Sequence, residues 1–183
     1  VGVCVGDVEM GLARVTDIVL ALFFTAFVFV SVTLEGPVCL GEKVSPESTN
    51  YFVAQSYFWG LEADNIWIQQ PTWSRSAVCF HAFGFAPFYA TFALGYLLKW
   101  RWIRQLAVAV CAAKLYAGAL YMTANLMDPD FPPTNPWLFV AQSASYMLIP
   151  LLTLVREWAG PKRSSSSDHA KSSSRPSDKN KVH

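Results

Sequence analysis

The sequence predicts an all-α integral membrane protein, a four-helix bundle with an intramembrane cavity. Four apolar runs, roughly 17–34, 74–98, 102–127 and 136–155, each supply about the 20 residues that an α-helix needs to cross a hydrocarbon core of ~30 Å. Inside lipid every backbone amide must find its partner within its own segment, so runs of this length read as helices. Ionisable residues lie where lipid rejects them: His81 in the second run, Lys114 in the third and Glu35 at the end of the first. Such residues mark a bundle interior or a functional site.

The first run follows Arg14, but it is long, and Leu34-Glu35-Gly36-Pro37 is a poor cleavage site. It therefore reads as a retained span rather than a signal peptide. The loop to the second run is acidic, with Glu42, Glu47, Glu62 and Asp64 against Lys43. The second and third runs are joined by a short basic connection holding Lys99, Arg101 and Arg104. The next loop carries Asp128, Asp130 and four prolines, and Arg156, Lys162 and Arg163 follow the fourth run. The positive-inside rule then puts both termini and the basic connection in the cytoplasm, and the two acidic loops in the lumen or exterior. Trp73, Trp100, Trp102, Trp137 and Trp158 fall near span ends, where amphipathic rings settle in a bilayer.

With 183 residues, 53% of them apolar, the chain is one domain. Residues 1–13 form an N-terminal segment, 14–158 the membrane domain and 159–183 a Ser/Lys-rich tail. The tail has almost no apolar residues and is expected to be disordered. Its end, Lys179-Asn180-Lys181-Val182-His183, looks like a dilysine retrieval signal, a receptor-read address that must face the cytoplasm. A net charge of +1, with no basic stripe outside the tail, gives nucleic acid no electrostatic footprint. Cys79 and Cys111 fall within spans, Cys4 and Cys39 are expected on opposite sides of the membrane, and no CxxC occurs. The cysteines therefore read as free, apolar-like thiols, with no metal site and no cofactor.

Helical spacing sorts the intramembrane polar residues into stripes. The third span aligns Lys114, Gly118, Tyr121 and Asn125; the second aligns His81, Gly84, Phe88, Thr91 and Gly95. The first aligns Phe24, Val28, Ser31 and Glu35, and the fourth offers Gln142, Ser143, Tyr146 and Pro150. Small and hydroxyl or amide residues also serve helix–helix packing. Lys114 is harder to place, because a lysine near the bilayer centre costs about 3 kcal/mol. It lies about 18 Å of helix rise from Trp102, so it must pair with an acid, face a wet cavity or give up its charge.

Several strings, read in order, resemble the EXPERA family, which holds a sterol Δ8–Δ7 isomerase branch and a sigma-2 receptor branch. Leu34-Glu35-Gly36, and Leu115-Tyr116 followed by Leu120-Tyr121, resemble the isomerase branch. Asp64 nine residues before Trp73, Pro71-x-Trp73-x-x-Ser76, Pro87-Phe88 and Trp102-Ile103-Arg104 look more like the sigma-2 branch, and Tyr146-Met147-Leu148-Ile149-Pro150 fits both. The resemblance implies an endoplasmic-reticulum protein whose hydrophobic cavity binds sterols and cationic amphiphiles. It makes Glu35 the catalytic-type acid of span one and Asp64 the loop acid of the pattern. His81 stands where the sigma-2 branch has a ligand-contacting glutamate. Ser31 stands where the isomerases have a catalytic histidine, and Ser143 and Tyr146 replace their span-four asparagine and tryptophan.

The functional expectation is a multi-pass membrane protein binding sterol-like lipids or cationic amphiphiles, with membrane lipids around it and a homodimer as one assembly open to it. Asp64, Lys114, Tyr121, Asn125, Ser143 and Tyr146 are its expected ligand-binding residues. The alternative is a catalytic sterol isomerase, which needs an acid to protonate the alkene and a base to remove a different proton. Glu35 and His81 are the candidates, since histidine titrates near neutral pH.

Overall fold

A computed structural model describes residues 5–159, with side chains from 13 to 158. The disorder and the retrieval signal expected of the tail lie outside the described residues, as does Cys4. Within them the chain is all-α, and four helices are long and apolar enough to cross a membrane: Ala13–Cys39, Thr72–Leu97, Ile103–Met127 and Pro136–Trp158. These are the four spans expected, each a few residues longer or shifted at its ends. Two further helices, Tyr51–Ala63 and Asn65–Gln69, occupy the loop between the first and second spans. The first starts on an Asn50 cap, whose side-chain oxygen accepts from the amides of Phe52 and Val53 at 2.9 and 3.2 Å. Asp64 caps the second by accepting from the Trp67 amide at 3.0 Å, and Gln70 ends it in the left-handed region at φ 49°. Cap oxygens of this kind satisfy the free amides of a helix's first turn.

The first span packs chiefly on the second, and the third on the fourth. Lipid tails are as apolar as the side chains they would release, so packing rather than hydrophobic transfer holds such helices together. Aromatic rings supply much of it. Phe24 is fully buried, stacks on Tyr89 and Tyr96 at 6.0 Å and meets Phe92 edge-on at 5.2 Å. Gly95 lets the third span approach: a Cβ there would lie 2.7 Å from Ile103 Cγ1. Lipophilic residues such as Leu22, Val32, Leu94, Leu120 and Val155 point outward, as do all five tryptophans of the expected belt.

Two features bend the expected register. The first span passes through a π-helical turn at Ser31–Glu35 and the second through one at Phe80–Phe85. Each turn ends two residues before a proline, Pro37 and Pro87. A proline inside a helix lacks a donor and clashes with the carbonyl four residues back, and a widened turn relieves that conflict. The extra residue corrects the face expected of the second span. His81 shares its side with Phe85, Tyr89, Phe92 and Tyr96, which are all buried, whereas Phe88 is exposed and Thr91 bonds to the Pro87 carbonyl.

The cysteine expectation is also corrected. Cys39 and Cys79 form a disulfide, Cα atoms 4.9 Å apart, across the ends of the first two spans. Cys111 remains a buried free thiol, as expected. At the opposite end of the bundle a charge cluster joins all four spans. Arg156 bonds both Asp17 and Glu157, the Tyr96 hydroxyl donates to Glu157 at 3.1 Å, and Arg104 Nε lies 3.7 Å from it.

Candidate functional site

The two π turns face each other near the disulfide and bring together the acid and the base singled out by the sequence. Glu35 is the last residue of one turn and His81 the second residue of the other. The Glu35 carboxylate lies 2.5 Å from His81 Nδ1 and accepts from the Ser31 hydroxyl at 2.8 Å. On the other side of the ring, His81 Nε2 is 3.0 Å from the Tyr89 hydroxyl and in close contact with Lys114 Nζ. The Lys114 ammonium also lies 5.8 Å over the Phe85 ring. A row of three ionisable groups, one from each of three spans, thus runs through the middle of the bundle. Among the described residues Lys114 forms no direct ion pair with an acid; it contacts the imidazole that engages Glu35, and it lines a cavity.

The row forms one wall of a cavity of about 260 Å³. Leu34, Trp67, Val78, Phe85, Met122 and Met147 give it apolar surface, and Glu35, His81, Lys114, Tyr121, Gln142, Ser143 and Tyr146 give it polar points. Such a chamber, mostly apolar with a few convergent polar groups, is the usual form of a small-molecule site. Tyr146 stacks on Phe27 at 5.9 Å, which sets its ring along the cavity wall. Gly118 keeps the third and fourth spans close, for a Cβ there would meet Met147 Sδ at 3.0 Å.

Asp64 closes the cavity from the loop side. Its carboxylate is buried and accepts from the Tyr121 hydroxyl at 2.7 Å, the Asn125 amide at 2.8 Å and the Trp67 backbone. Asn125 is fully buried behind this contact, and its own carbonyl oxygen has no partner. All eight residues expected at a site therefore sit in or directly behind one cavity. Tyr89, Trp59 and Trp67 were not among them. Trp59 bonds to Gln142 across to the fourth span, and Trp67 donates to Ser56 at 2.9 Å, which pins the loop helices over the chamber. Tyr89 was findable only through the π turn, and the tryptophans only through the loop helices. Among the described residues no three His, Cys, Asp or Glu side chains cluster in metal-ligating positions.

No family model, curated protein or solved structure matches the chain. By its four spans the chain is a multi-pass, all-α membrane protein.

Proposed function

We propose that this protein binds a sterol-like lipid or a related amphiphile in the intramembrane cavity, as an endoplasmic-reticulum protein of EXPERA type. The observation that carries the reading is the Glu35–His81–Lys114 row set into an otherwise apolar chamber. A rigid hydrocarbon with one polar end matches that distribution: rings against Phe85, Tyr146 and Met147, and a hydroxyl or amine at the row. At about 260 Å³ the chamber is slightly below the ~300–1,000 Å³ of typical ligand pockets. It suits the polar end and first rings of such a ligand better than a whole diacyl lipid.

The Cys39–Cys79 bond supports a lumenal position for the loop-helix end, because disulfides persist in oxidising compartments. With four spans, both termini are then cytoplasmic, in agreement with the basic residues there and with a tail signal read from the cytosol.

The test is photocrosslinking with a diazirine sterol in membranes. Saturable labelling of cavity peptides is expected, reduced by His81→Leu and by Lys114→Leu. Labelling that neither substitution alters, or that maps only to lipid-facing residues, would overturn the proposal. A diazirine cationic amphiphile in parallel distinguishes the two ligand chemistries.

One observation favours a second reading, sterol Δ8–Δ7 isomerisation. Glu35 and His81 are within proton-transfer distance beside an apolar chamber, which is the arrangement acid–base catalysis on an alkene requires. One group protonates the double bond, the ring faces of Phe85 and Tyr146 stabilise the carbocation, and the conjugate pair removes a different proton. Expression in an isomerase-deficient yeast strain decides it: restored Δ7 sterols, lost in Glu35→Gln, support catalysis. Continued Δ8-sterol accumulation with good expression refutes it.

A further inference from the structure

We propose that the Cys39–Cys79 disulfide is the positioning clamp of the Glu35–His81 pair, so that the amphiphile site is assembled only while the bond is oxidised. The proposal rests on the cavity reading above for its ligand, but its geometry stands apart from it. Cys39 closes the final turn of the first span, one turn beyond Glu35. Cys79 is the last residue before the π turn of the second span, two residues before His81. The bond therefore joins the two backbones at the very segments that carry the acid and the base.

Beside the bond, Leu34 and Val38 of the first span and Val78 of the second share a small buried cluster with Val53 and Trp67 of the loop helices, a non-covalent contact that fixes neither backbone by itself. The buried aromatic packing between the first two spans, Phe24 and Phe27 against Tyr89, Phe92 and Tyr96, begins at Tyr89, which touches His81, and runs from there away from the disulfide. Among the described residues, the His81–Glu35 contact is the one ion pair between these spans. Both segments are widened turns ahead of prolines, which lack part of the regular α-helical hydrogen bonding. A preformed site needs a constraint where its supports are weakest, since disorder in the free state subtracts from affinity. The covalent bond supplies it.

Opening the bond needs a reductant. A dithiol delivers two electrons and two protons, leaving two cysteine thiols in the protein and an intramolecular disulfide in the reductant. Once released, the loop-side ends of the two spans separate, Glu35 leaves His81, and the pocket loses its preformed polar wall.

The experiment uses the full chain in lipid nanodiscs, oxidised, treated with dithiothreitol, and reoxidised. Peptide mass spectrometry without reduction should recover Cys39 joined to Cys79; free thiols at both positions in protein taken from an oxidising compartment would overturn the proposal. Labelling by the diazirine sterol is expected to fall about tenfold on reduction and to return on reoxidation. A second readout follows the imidazole itself. His81 should react faster with diethylpyrocarbonate in the reduced protein, because the carboxylate that engages Nδ1 has moved away. The Cys111→Ala variant, which keeps the bond, should behave as the parent in both assays. Cys39→Ser and Cys79→Ser should match the reduced protein, and the reversible treatment of the unsubstituted chain covers any variant that fails to fold. Unchanged His81 reactivity on full reduction refutes the clamp. Absent sterol labelling in every state, with His81 reactivity still governed by the bond, refutes the ligand and leaves the clamp standing.

Discussion

Replacing Asp64 by alanine removes one carboxylate and strands three donors. The Tyr121 hydroxyl, the Asn125 amide and the Trp67 backbone N–H all donate to it at 2.7 to 3.0 Å, in a setting where Asp64 is 2% exposed. An unsatisfied buried donor costs about 1–3 kcal/mol, and the Trp67 amide, which is the helix-cap bond, accounts for about 1 kcal/mol of that. Side-chain relaxation lets Tyr121 turn toward the cavity, so about 3–5 kcal/mol is the reasonable total. For a domain of this size that lowers the melting midpoint by roughly 6–20 °C. Asp64→Asn provides the internal control. Its oxygen still accepts from Trp67 and Asn125, and its amide can donate to the Tyr121 hydroxyl, which is both donor and acceptor. It should lose only about 1 kcal/mol. The assay is thermal unfolding in detergent followed by tryptophan fluorescence, with Trp59 and Trp67 beside the site. Equal melting of the alanine and asparagine variants would refute the view that Asp64 acts as a buried acceptor hub.

Gly95→Ala forces its new methyl against the buried Ile103 side chain and should cost about 1–3 kcal/mol in thermal stability; Gly118→Ala meets only the flexible Met147 thioether and should cost less than about 1 kcal/mol. Arg156→Ala leaves Asp17 and Glu157 without their shared partner and should destabilise the bundle by about 3 kcal/mol in the same melt, with Arg156→Lys recovering only part because a lysine lacks the planar fork. Glu42 accepts from the Ser48 hydroxyl at 2.6 Å and from the Thr49 amide and hydroxyl, and these bonds hold its carboxyl below the ordinary 4.5. A depressed folded value means that the loop's stabilisation is complete above pH 4.5 and is lost as pH falls through the folded value, so hydrogen exchange at Thr49, corrected for its intrinsic rate, should accelerate only under acid conditions. Glu35→Gln leaves a lone cation in the bundle and should destabilise it, whereas Glu35→Gln with Lys114→Met should recover stability, both read in detergent melts.

The spans were legible because hydropathy over about 20 residues is a strong signal with one physical solution. The stripe on the third span was legible too, since Ile103–Met127 is a regular helix and its 3.6-residue period holds from Lys114 to Asn125. The second span broke that reading at its π turn. One extra residue per turn moved Gly84 and Phe88 off the face of His81 and moved Phe85 and Tyr89 onto it. The proline two residues beyond each π turn was visible in the sequence, but a proline marks only that a helix must adjust, not how; Pro150 sits in the fourth span without such a turn. The disulfide was hidden for a different reason. Its partners are 40 residues apart, and Cys79 reads as a residue within a span until the loop helices set how far the chain returns. The charge cluster of Asp17, Arg156 and Glu157 was hidden in the same way, because its members flank spans and look like separate surface charges.

The electrostatics of the central row follow from which protons it can hold. Lys114 Nζ and His81 Nε2 are in contact, and a hydrogen bond between two nitrogens needs one to donate and the other to accept. With His81 neutral, Nδ1–H donates to Glu35 and Nε2 accepts from the ammonium. With His81 charged, both ring nitrogens donate, and Lys114 and the Tyr89 hydroxyl present lone pairs. The two arrangements hold the same number of protons, and with Glu35 ionised each sums to zero charge. A proton can therefore move along the row without leaving a net charge in the membrane interior, where an isolated one is expensive. For an amphiphile bound as proposed, this would give a polar anchor that can donate or accept as the ligand's hydroxyl or amine demands. Under the isomerase reading, giving a proton to the alkene would leave the row with one net negative charge, opposite in sign to the carbocation it creates.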